Sequence, residues 1–113
     1  MVVHSTLGNG FQEVIYQRAL AIEMRLNGLN FEREKEMSIY YRNQEIGKRR
    51  ADFFVEQRVM TEIKALLKLQ PDHLAQAKNY LEAYEMEIGL LLNFGGKSME
   101  FKRLHNNKLL SES

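Results

Sequence analysis

Two carboxylates and an amine fall on neighbouring positions of one predicted β-hairpin. Side chains alternate between the two faces of a strand, so the length of the hairpin loop decides which residues share a face. A two-residue loop at Glu56-Gln57 would mix charged and hydrophobic residues on both faces. A three-residue loop over 56–58 instead places Asp52 opposite Glu62, with Lys64 next on the same side. Because only this register gives one clean apolar face, we expect the three-residue loop.

The two faces of the hairpin differ sharply in that register. The apolar face comprises Ala51, Phe53, Val55, Val59, Thr61 and Ile63. The second face carries the charges and comprises Arg50, Asp52, Phe54, Met60, Glu62 and Lys64. Opposed carboxylates repel each other on a sheet, and flanking helices raise the cost by removing water. The repulsion between Asp52 and Glu62 therefore needs an opposing charge.

A divalent cation would supply that charge. Mg²⁺ binds one or two carboxylates, keeps several of its waters and leaves positions open to phosphate oxygens. Lys64 beside it could stabilise charge that develops on a phosphate, or position and deprotonate the attacking water. The residue types therefore indicate metal-assisted hydrolysis of a phosphodiester. A metal-free ion-pair ladder on a solvated strand is the structural alternative.

The composition is that of one small domain. The chain has 113 residues, of which 44% are hydrophobic and 27% charged, and its formal net charge is +1. This length supports a single core, which we place in residues 1–105, followed by a flexible tail over 106–113. The absence of cysteine excludes a disulfide framework and a thiolate metal site. With no leader and no apolar run near ~18 residues, we expect a soluble, cytoplasmic protein.

The hydrophobic periodicity predicts an αβββαβ order followed by one more strand. Apolar residues recur at helical spacing over 10–27, and a second helix is predicted from Pro71 to about residue 85. The predicted strands cover 31–41, 46–55, 59–64 and 88–94, with a short last strand around Phe101. We therefore expect an α/β fold in which helices flank a mixed sheet.

A motif near the start of the chain has the spacing Gly-x-x-Glu-x-x-Tyr, over residues 10–16. In this it resembles the GxxExxY proteins, a branch of the PD-(D/E)xK nuclease superfamily. The resemblance extends over almost the whole chain, through His4 with 7–11, 50–53 with 62–64, 76–81, and 89–103. Two positions depart from the family pattern. Ala51 stands where a proline usually precedes the aspartate, and only three residues precede His4, where the family usually has a further helical segment.

The resemblance implies a restriction-endonuclease-like αβββαβ core and a set of site residues. Asp52 and Glu62 would hold Mg²⁺ or Mn²⁺, and Lys64 would be the catalytic lysine. Glu13, on the first long helix, resembles the additional acidic residue of nucleases of this type. Gln76 resembles the helical glutamine that lies near the site.

Three further side chains are candidates for contact with substrate, namely Tyr16, Arg50 and Tyr80. The alternative for Tyr16 is a packing residue whose hydroxyl finds a partner near the site. The function implied is that of a metal-dependent nuclease that acts on DNA, with nucleic acid as its partner and no membrane association. We expect a homodimer, because a single-domain nuclease has one site per chain. The alternative is a nucleic-acid- or protein-binding module on the same fold, with weak or lost chemistry.

Overall fold

A computed structural model describes residues 2–107 of the chain. In chain order the elements are α1 (Val2–Leu7), α2 (Glu13–Leu26), β1 (Phe31–Tyr41), β2 (Gln44–Val55), β3 (Val59–Lys64), α3 (Pro71–Ala83), β4 (Ile88–Asn93) and β5 (Glu100–His105). The order predicted from α2 to β5 is confirmed. The predicted tail begins too early, because Asn106 is buried and its backbone N–H donates to the carbonyl of Glu87 at 2.9 Å. Residues 108–113 lie outside the described part of the chain.

The short helix α1 is an element that the periodicity does not predict. Its first two residues are valines, whose branched side chains lower helix propensity, so the local signal is weak. Tertiary contacts hold the helix instead. Val3 is buried in the core, and His4 Nε2 lies 3.0 Å from the carbonyl oxygen of Gly96. Packing rather than propensity therefore decides this helix.

The five strands form one mixed sheet in the order β1-β2-β3-β4-β5. β3 and β4 are parallel, and the other neighbouring pairs are antiparallel. Parallel neighbours need a crossover connection, and α3 lies between these two strands along the chain. The predicted α/β fold with a mixed sheet flanked by helices is confirmed.

Each face of the sheet is covered by one long helix. The cluster on the α2 side contains Val3, Tyr16, Leu20, Ala21, Met24, Phe53, Ile63, Leu92 and Phe94. The cluster on the α3 side contains Ala51, Phe54, Met60, Leu81 and Tyr84. A charged side chain on the central strands is therefore partly removed from water. None of the helices within residues 2–107 has the length and apolar character needed to cross a membrane.

The hairpin of β2 and β3 has the predicted three-residue loop. Val55 pairs with Val59 and Phe53 pairs with Thr61, which leaves 56–58 in the loop. The same register, continued by one residue, sets Asp52 opposite Glu62. The hairpin therefore directs both carboxylates to one region of the sheet.

Side chains of β2 do not alternate strictly between the α2 side and the α3 side of the sheet. Its pairing with β1 is interrupted at Glu34, which has a φ of +51° and lies opposite Asp52. Before the interruption, Ala51 packs with Phe54 on the α3 side, whereas Phe53 packs on the α2 side. The prediction that Ala51 shares a face with Phe53 is therefore wrong. Alternation fails here because the pairing of β2 with β1 is irregular at this position.

Candidate active site

The carboxylate of Asp52 is fixed between a strand and a helix. The backbone N–H of Ile63 on β3 donates to Asp52 Oδ2 at 2.7 Å. The side chain of Gln17 on α2 donates from Nε2 to Asp52 Oδ1 at 3.2 Å. Each carboxylate oxygen therefore has a donor that sets its direction, and each keeps lone pairs for a further partner.

Gln17 is a site residue that the sequence analysis does not identify. It is buried, and its Oε1 accepts a hydrogen bond from Arg33 Nη2 at 2.7 Å. The amide therefore connects an arginine on β1 with the carboxylate of Asp52. The available signal is spacing, because Gln17 lies three and four residues before the buried Leu20 and Ala21. A polar residue at a core position of a helix needs a hydrogen-bonding partner.

Glu62 lies next to Asp52 in a largely dry environment. Its side chain is 15% exposed, and its Oε1 accepts from Arg49 Nη1 at 2.7 Å. Burial, followed by the negative charge of Asp52, raises the pKa of Glu62 from 4.5 to about 7, and Arg49 opposes this shift. Asp52 is therefore close enough to disfavour ionisation of the Glu62 carboxyl.

Arg49 is the cation that faces Glu62. Its guanidinium lies 4.2 Å from the ring centroid of Tyr80, and Nη1 also donates to the hydroxyl of Tyr84 at 3.4 Å. Burial lowers the pKa of Arg49, but the hydrogen bonds to Tyr84 and Glu62 outweigh burial and raise it. Burial also raises the pKa of Tyr84. The guanidinium therefore stays charged, with a neutral phenol beside it.

The arginine at the site is not the one expected from strand alternation. Arg50 is 69% exposed and lies 4.0 Å from Glu34 Oε2. Because β2 is interrupted at Asp52, the side chains before this residue face the opposite side of the sheet from the one that strict alternation predicts. Arg49 therefore contacts Glu62. The structure therefore brings Arg49, and not Arg50, beside the carboxylates.

Lys64 ends β3, and its main chain is held by β4. It pairs with Asn93 in the parallel ladder, and the backbone N–H of Phe94 donates to the Lys64 carbonyl at 2.9 Å. The buried side chain of Asn93 accepts from the Leu66 N–H at 2.8 Å and donates to the Leu66 carbonyl at 2.9 Å. These bonds fix the chain directly after Lys64. An asparagine that ends an otherwise apolar strand is the signal for this support.

The side chain of Lys64 lines a pocket between β3 and α3. The other lining residues are Arg49, Glu62, His73, Gln76, Ala77, Tyr80 and Leu91. Gln76 and Tyr80 are one helical turn apart and so share one face of α3. Four residues selected from the sequence, Glu62, Lys64, Gln76 and Tyr80, thus line a single cavity.

Glu13 lies at the first residue of α2 and is exposed. Its side chain makes no hydrogen bond or ion pair with any residue in the 2–107 range. It precedes Gln17 by one helical turn, so the two residues share a face of the helix. The structure therefore places Glu13 near the Asp52 side of the sheet without joining it to that carboxylate.

Tyr16 is a core residue rather than a surface one. It has no exposed area, and its ring stacks on Phe94 with centroids 4.8 Å apart. Its hydroxyl donates to the Gly8 carbonyl at 2.6 Å and accepts from the Phe11 N–H at 3.1 Å. A substrate cannot reach this side chain in the folded protein. Of the two roles considered for Tyr16, the structure therefore supports the packing residue, whose hydroxyl holds the turn before α2.

The sequence model of the PD-(D/E)XK nuclease superfamily matches residues 1–104. The chain belongs to this superfamily. The fold is similar to that of a solved structure described as the crystal structure of SSO0001, with a TM-score of 0.64 and 22% identity. The match covers 82% of this chain and 50% of that one, so the chain spans about half the length of its structural relative. No curated protein matches. The restriction-endonuclease-like fold expected for a PD-(D/E)XK nuclease is confirmed.

PD-(D/E)XK nucleases usually use divalent metal ions, and the donor set of this site fits such an ion. Within residues 2–107 no cluster of three or more His, Cys, Asp or Glu side chains forms a complete metal cage. Mg²⁺ does not require one, because it commonly binds one or two carboxylates and completes its shell with water. Asp52 and Glu62 supply two such carboxylates, and their mutual repulsion is what a cation would relieve.

Proposed function

We propose that the protein is a metal-dependent nuclease that hydrolyses phosphodiester bonds in DNA. Three groups around the end of β3 carry this proposal: the Asp52 carboxylate fixed by Ile63, the buried Glu62, and Lys64 in the adjoining pocket. Opposed carboxylates on a sheet covered by helices destabilise the fold, and a bound cation offsets this destabilisation. Membership in the PD-(D/E)XK superfamily supports the same chemistry.

The residues of the chain divide the work of hydrolysis. Asp52 and Glu62 would hold Mg²⁺ or Mn²⁺, which when bound supplies positive charge to the phosphate and favours ionisation of water. Lys64 would position and deprotonate the attacking water, or stabilise the charge that develops on phosphate. Gln76 would orient the reacting groups from α3. Attack of water on phosphorus breaks one P–O ester bond and releases a phosphomonoester and an alcohol.

We also assign the protein to the GxxExxY branch, on the motif over residues 10–16. In this assignment Glu13 is the additional acidic residue of the site. Its carboxylate is exposed and has no partner within residues 2–107, and it lies one turn before Gln17, which contacts Asp52. Glu13 is thus free to turn toward a metal-loaded site.

A second candidate function is that of a nucleic-acid- or protein-binding module. The ion pair between Arg49 and Glu62 favours it, because this pair neutralises a proposed metal ligand without any metal ion. Such a module would bind its partner and leave it intact.

Cleavage assays separate the two functions. Purified protein is incubated with single- and double-stranded DNA and RNA in Mg²⁺, Mn²⁺ or EDTA. We expect DNA cleavage with either metal and none in EDTA, whereas the binding module predicts intact nucleic acid throughout. Sedimentation velocity on the same samples tests the expected homodimer.

Thermal denaturation tests metal binding without an activity readout. An ion that binds only the native state adds about 2.7 kcal/mol of stability at a hundredfold excess over its Kd. We therefore expect the Tm to rise with millimolar Mg²⁺ and Mn²⁺. A Tm that does not move, together with intact DNA, would overturn the proposed nuclease.

A further inference from the structure

Within residues 2–107, the Arg49 side chain forms hydrogen bonds through one guanidinium nitrogen, Nη1. Nη1 donates to Glu62 Oε1 at 2.7 Å and to the Tyr84 hydroxyl at 3.4 Å. Within the described range 2–107, Nε and Nη2 make no hydrogen bond. Arginine has five N–H donors, and arginine–carboxylate pairs are frequently bidentate. The pair with Glu62 therefore leaves most of the donors of Arg49 unused.

The unused donors remain accessible in the plane of the guanidinium. Tyr80 covers one face of that plane, at 4.2 Å from its ring centroid, so stacking leaves the edges open. The side chain is 28% exposed and lines the pocket that also contains Lys64 and Gln76. Arg49 is thus held in place by a ring and a carboxylate while its edge stays free for a second anion.

The pocket itself is too small to enclose a phosphate, but the charges at its opening suit one. Arg49 and Lys64 contribute two cations, Gln76 contributes an amide donor, and Glu62 is the acidic side chain among the lining residues. A cation bound at Glu62 would remove the remaining negative charge. A phosphate would then face cations and donors alone.

We propose, on the basis of the proposed function, that Arg49 is a phosphate-binding residue of the substrate site and serves as the counterion of Glu62 until a metal ion takes that charge. Its planar fork binds two phosphate oxygens through the donors that Glu62 leaves free. Arg49 and the metal ion share one carboxylate, so each lowers the affinity of Glu62 for the other. The residue therefore links metal loading to substrate binding.

Two measurements on one variant test this role. For Arg49→Met in EDTA, we expect the affinity for a short fluorescein-labelled DNA to fall about tenfold, because a charge-assisted contact is lost. The slope of log affinity against log salt should become shallower by about one, as for the loss of one phosphate contact. By calorimetry, the same variant should bind Mn²⁺ more tightly than wild type, since the competing guanidinium is gone.

Arg42→Met is the matched control. Arg42 is an exposed arginine in the turn between β1 and β2, so its loss removes the same charge outside the pocket. We expect wild-type Mn²⁺ affinity and a wild-type salt slope from it. Arg49→Lys is the second variant, for use if Arg49→Met does not fold. Lysine keeps the positive charge but lacks the planar guanidinium that can bind two phosphate oxygens. The DNA affinity of this variant should fall severalfold while the salt slope stays that of wild type.

The outcomes distinguish this role from the proposed function. Wild-type DNA affinity in both Arg49 variants, or Mn²⁺ affinity that falls in Arg49→Met, would overturn the role of Arg49. Wild-type protein that binds DNA and never cleaves it would overturn the proposed nuclease function but would not contradict the proposed phosphate contact of Arg49. Wild-type protein that binds neither Mn²⁺ nor any DNA would overturn both.

Discussion

The backbone N–H of Ile63 donates to Asp52 Oδ2 at 2.7 Å, just beyond the last backbone pair of β2 with β3, which joins Phe53 and Thr61. The side chain thus satisfies a strand N–H at the point where β2 becomes irregular. A buried N–H without an acceptor costs about 1–3 kcal/mol. Asp52 is therefore a structural residue of the hairpin as well as a candidate metal ligand. Substitutions there must keep an acceptor if the chemistry is to be tested separately from folding.

Replacing Gln17 by leucine should weaken both the fold and the metal site. Gln17 connects Arg33 Nη2 with Asp52 Oδ1, and Arg33 Nε is already buried without a partner among residues 2–107. Loss of the amide leaves a partly buried guanidinium less satisfied, so the free energy of unfolding should fall by about 1–3 kcal/mol. Urea denaturation measures this change.

A positioning role for Gln17 predicts more than lost stability. Asp52 loses the donor on Oδ1, so calorimetry of folded Gln17→Leu should show weaker Mn²⁺ binding than wild type. Gln44→Leu, at the exposed start of β2, is the control and should match wild type. Unchanged Mn²⁺ affinity in Gln17→Leu would limit Gln17 to a role in folding.

The raised pKa of Glu62 predicts a stability that falls as pH rises. The pKa is 4.5 for an ordinary Glu and about 7 in the folded protein, chiefly because of burial and then Asp52. Between these values the native state holds a proton that the unfolded state has released. The contribution of Glu62 is therefore fully present below pH 4.5 and is lost as pH rises through about 7, by on the order of 1–3 kcal/mol.

Denaturation in EDTA between pH 4.5 and 8 measures this dependence, with Glu62→Gln as the reference. The amide cannot ionise, so the stability of wild type relative to Glu62→Gln should decline across this range. Added Mg²⁺ should reverse the trend, because it binds the ionised carboxylate more strongly as pH rises. A difference between the two proteins that does not change with pH would contradict the assignment.

Tyr16→Phe should separate packing from substrate contact. The phenylalanine keeps the stacking on Phe94 but loses the bonds of the hydroxyl to the Gly8 carbonyl and the Phe11 N–H. We expect the free energy of unfolding to fall by about 1–2 kcal/mol. Cleavage per folded molecule should stay at the wild-type rate. A large loss of cleavage in fully folded Tyr16→Phe would restore a role at the site.

Local patterns in the sequence predict the fold well, because most elements carry a strong period. Helical spacing predicts α2 from the apolar residues Phe11, Val14, Ile15, Ala19, Ile22 and Leu26, but the buried face of the helix carries Tyr16, Leu20 and Met24 instead. The unbroken apolar residues of β4 mark a strand covered on both faces. The hairpin register also follows from the sequence, since one loop length alone gives a clean apolar face near Val55 and Val59. The predicted opposition of Asp52 and Glu62 depends on that register.

The parts that could not be predicted depend on tertiary contacts or on irregular backbone. Strand alternation selects Arg50, but the positive φ of Glu34 and the interruption at Asp52 bring Arg49 to Glu62 instead. The role of Gln17 needs the distance from α2 to β2, which no spacing along the chain contains. The register of neighbouring strands can thus be predicted from the sequence, whereas contacts between separate elements cannot.

If the protein is a nuclease, substitutions of Lys64 and of Asp52 should impair different steps of the reaction. Lys64 lines the pocket together with Glu62, Gln76 and Arg49, and it has no carboxylate with which to bind the metal ion. Lys64→Met should therefore keep metal and DNA binding, while cleavage falls by ~10²–10⁴-fold, the usual contribution of a positioned proton-transfer group. Asp52→Asn should lose metal binding and cleavage together, and its amide oxygen can still accept from Ile63.

Calorimetric Mn²⁺ titration and cleavage of one labelled DNA, for wild type and both variants, measure this dissociation. Ligands and charge-stabilising groups act at different steps, so the two variants separate binding from catalysis. Lys68→Met is the control for the loss of one lysine, because Lys68 is exposed in the segment between β3 and α3. If Lys64 only neutralises the carboxylates, Lys64→Met changes stability or metal affinity instead. A Lys64→Met variant that cleaves as fast as wild type would therefore favour the binding module over the nuclease.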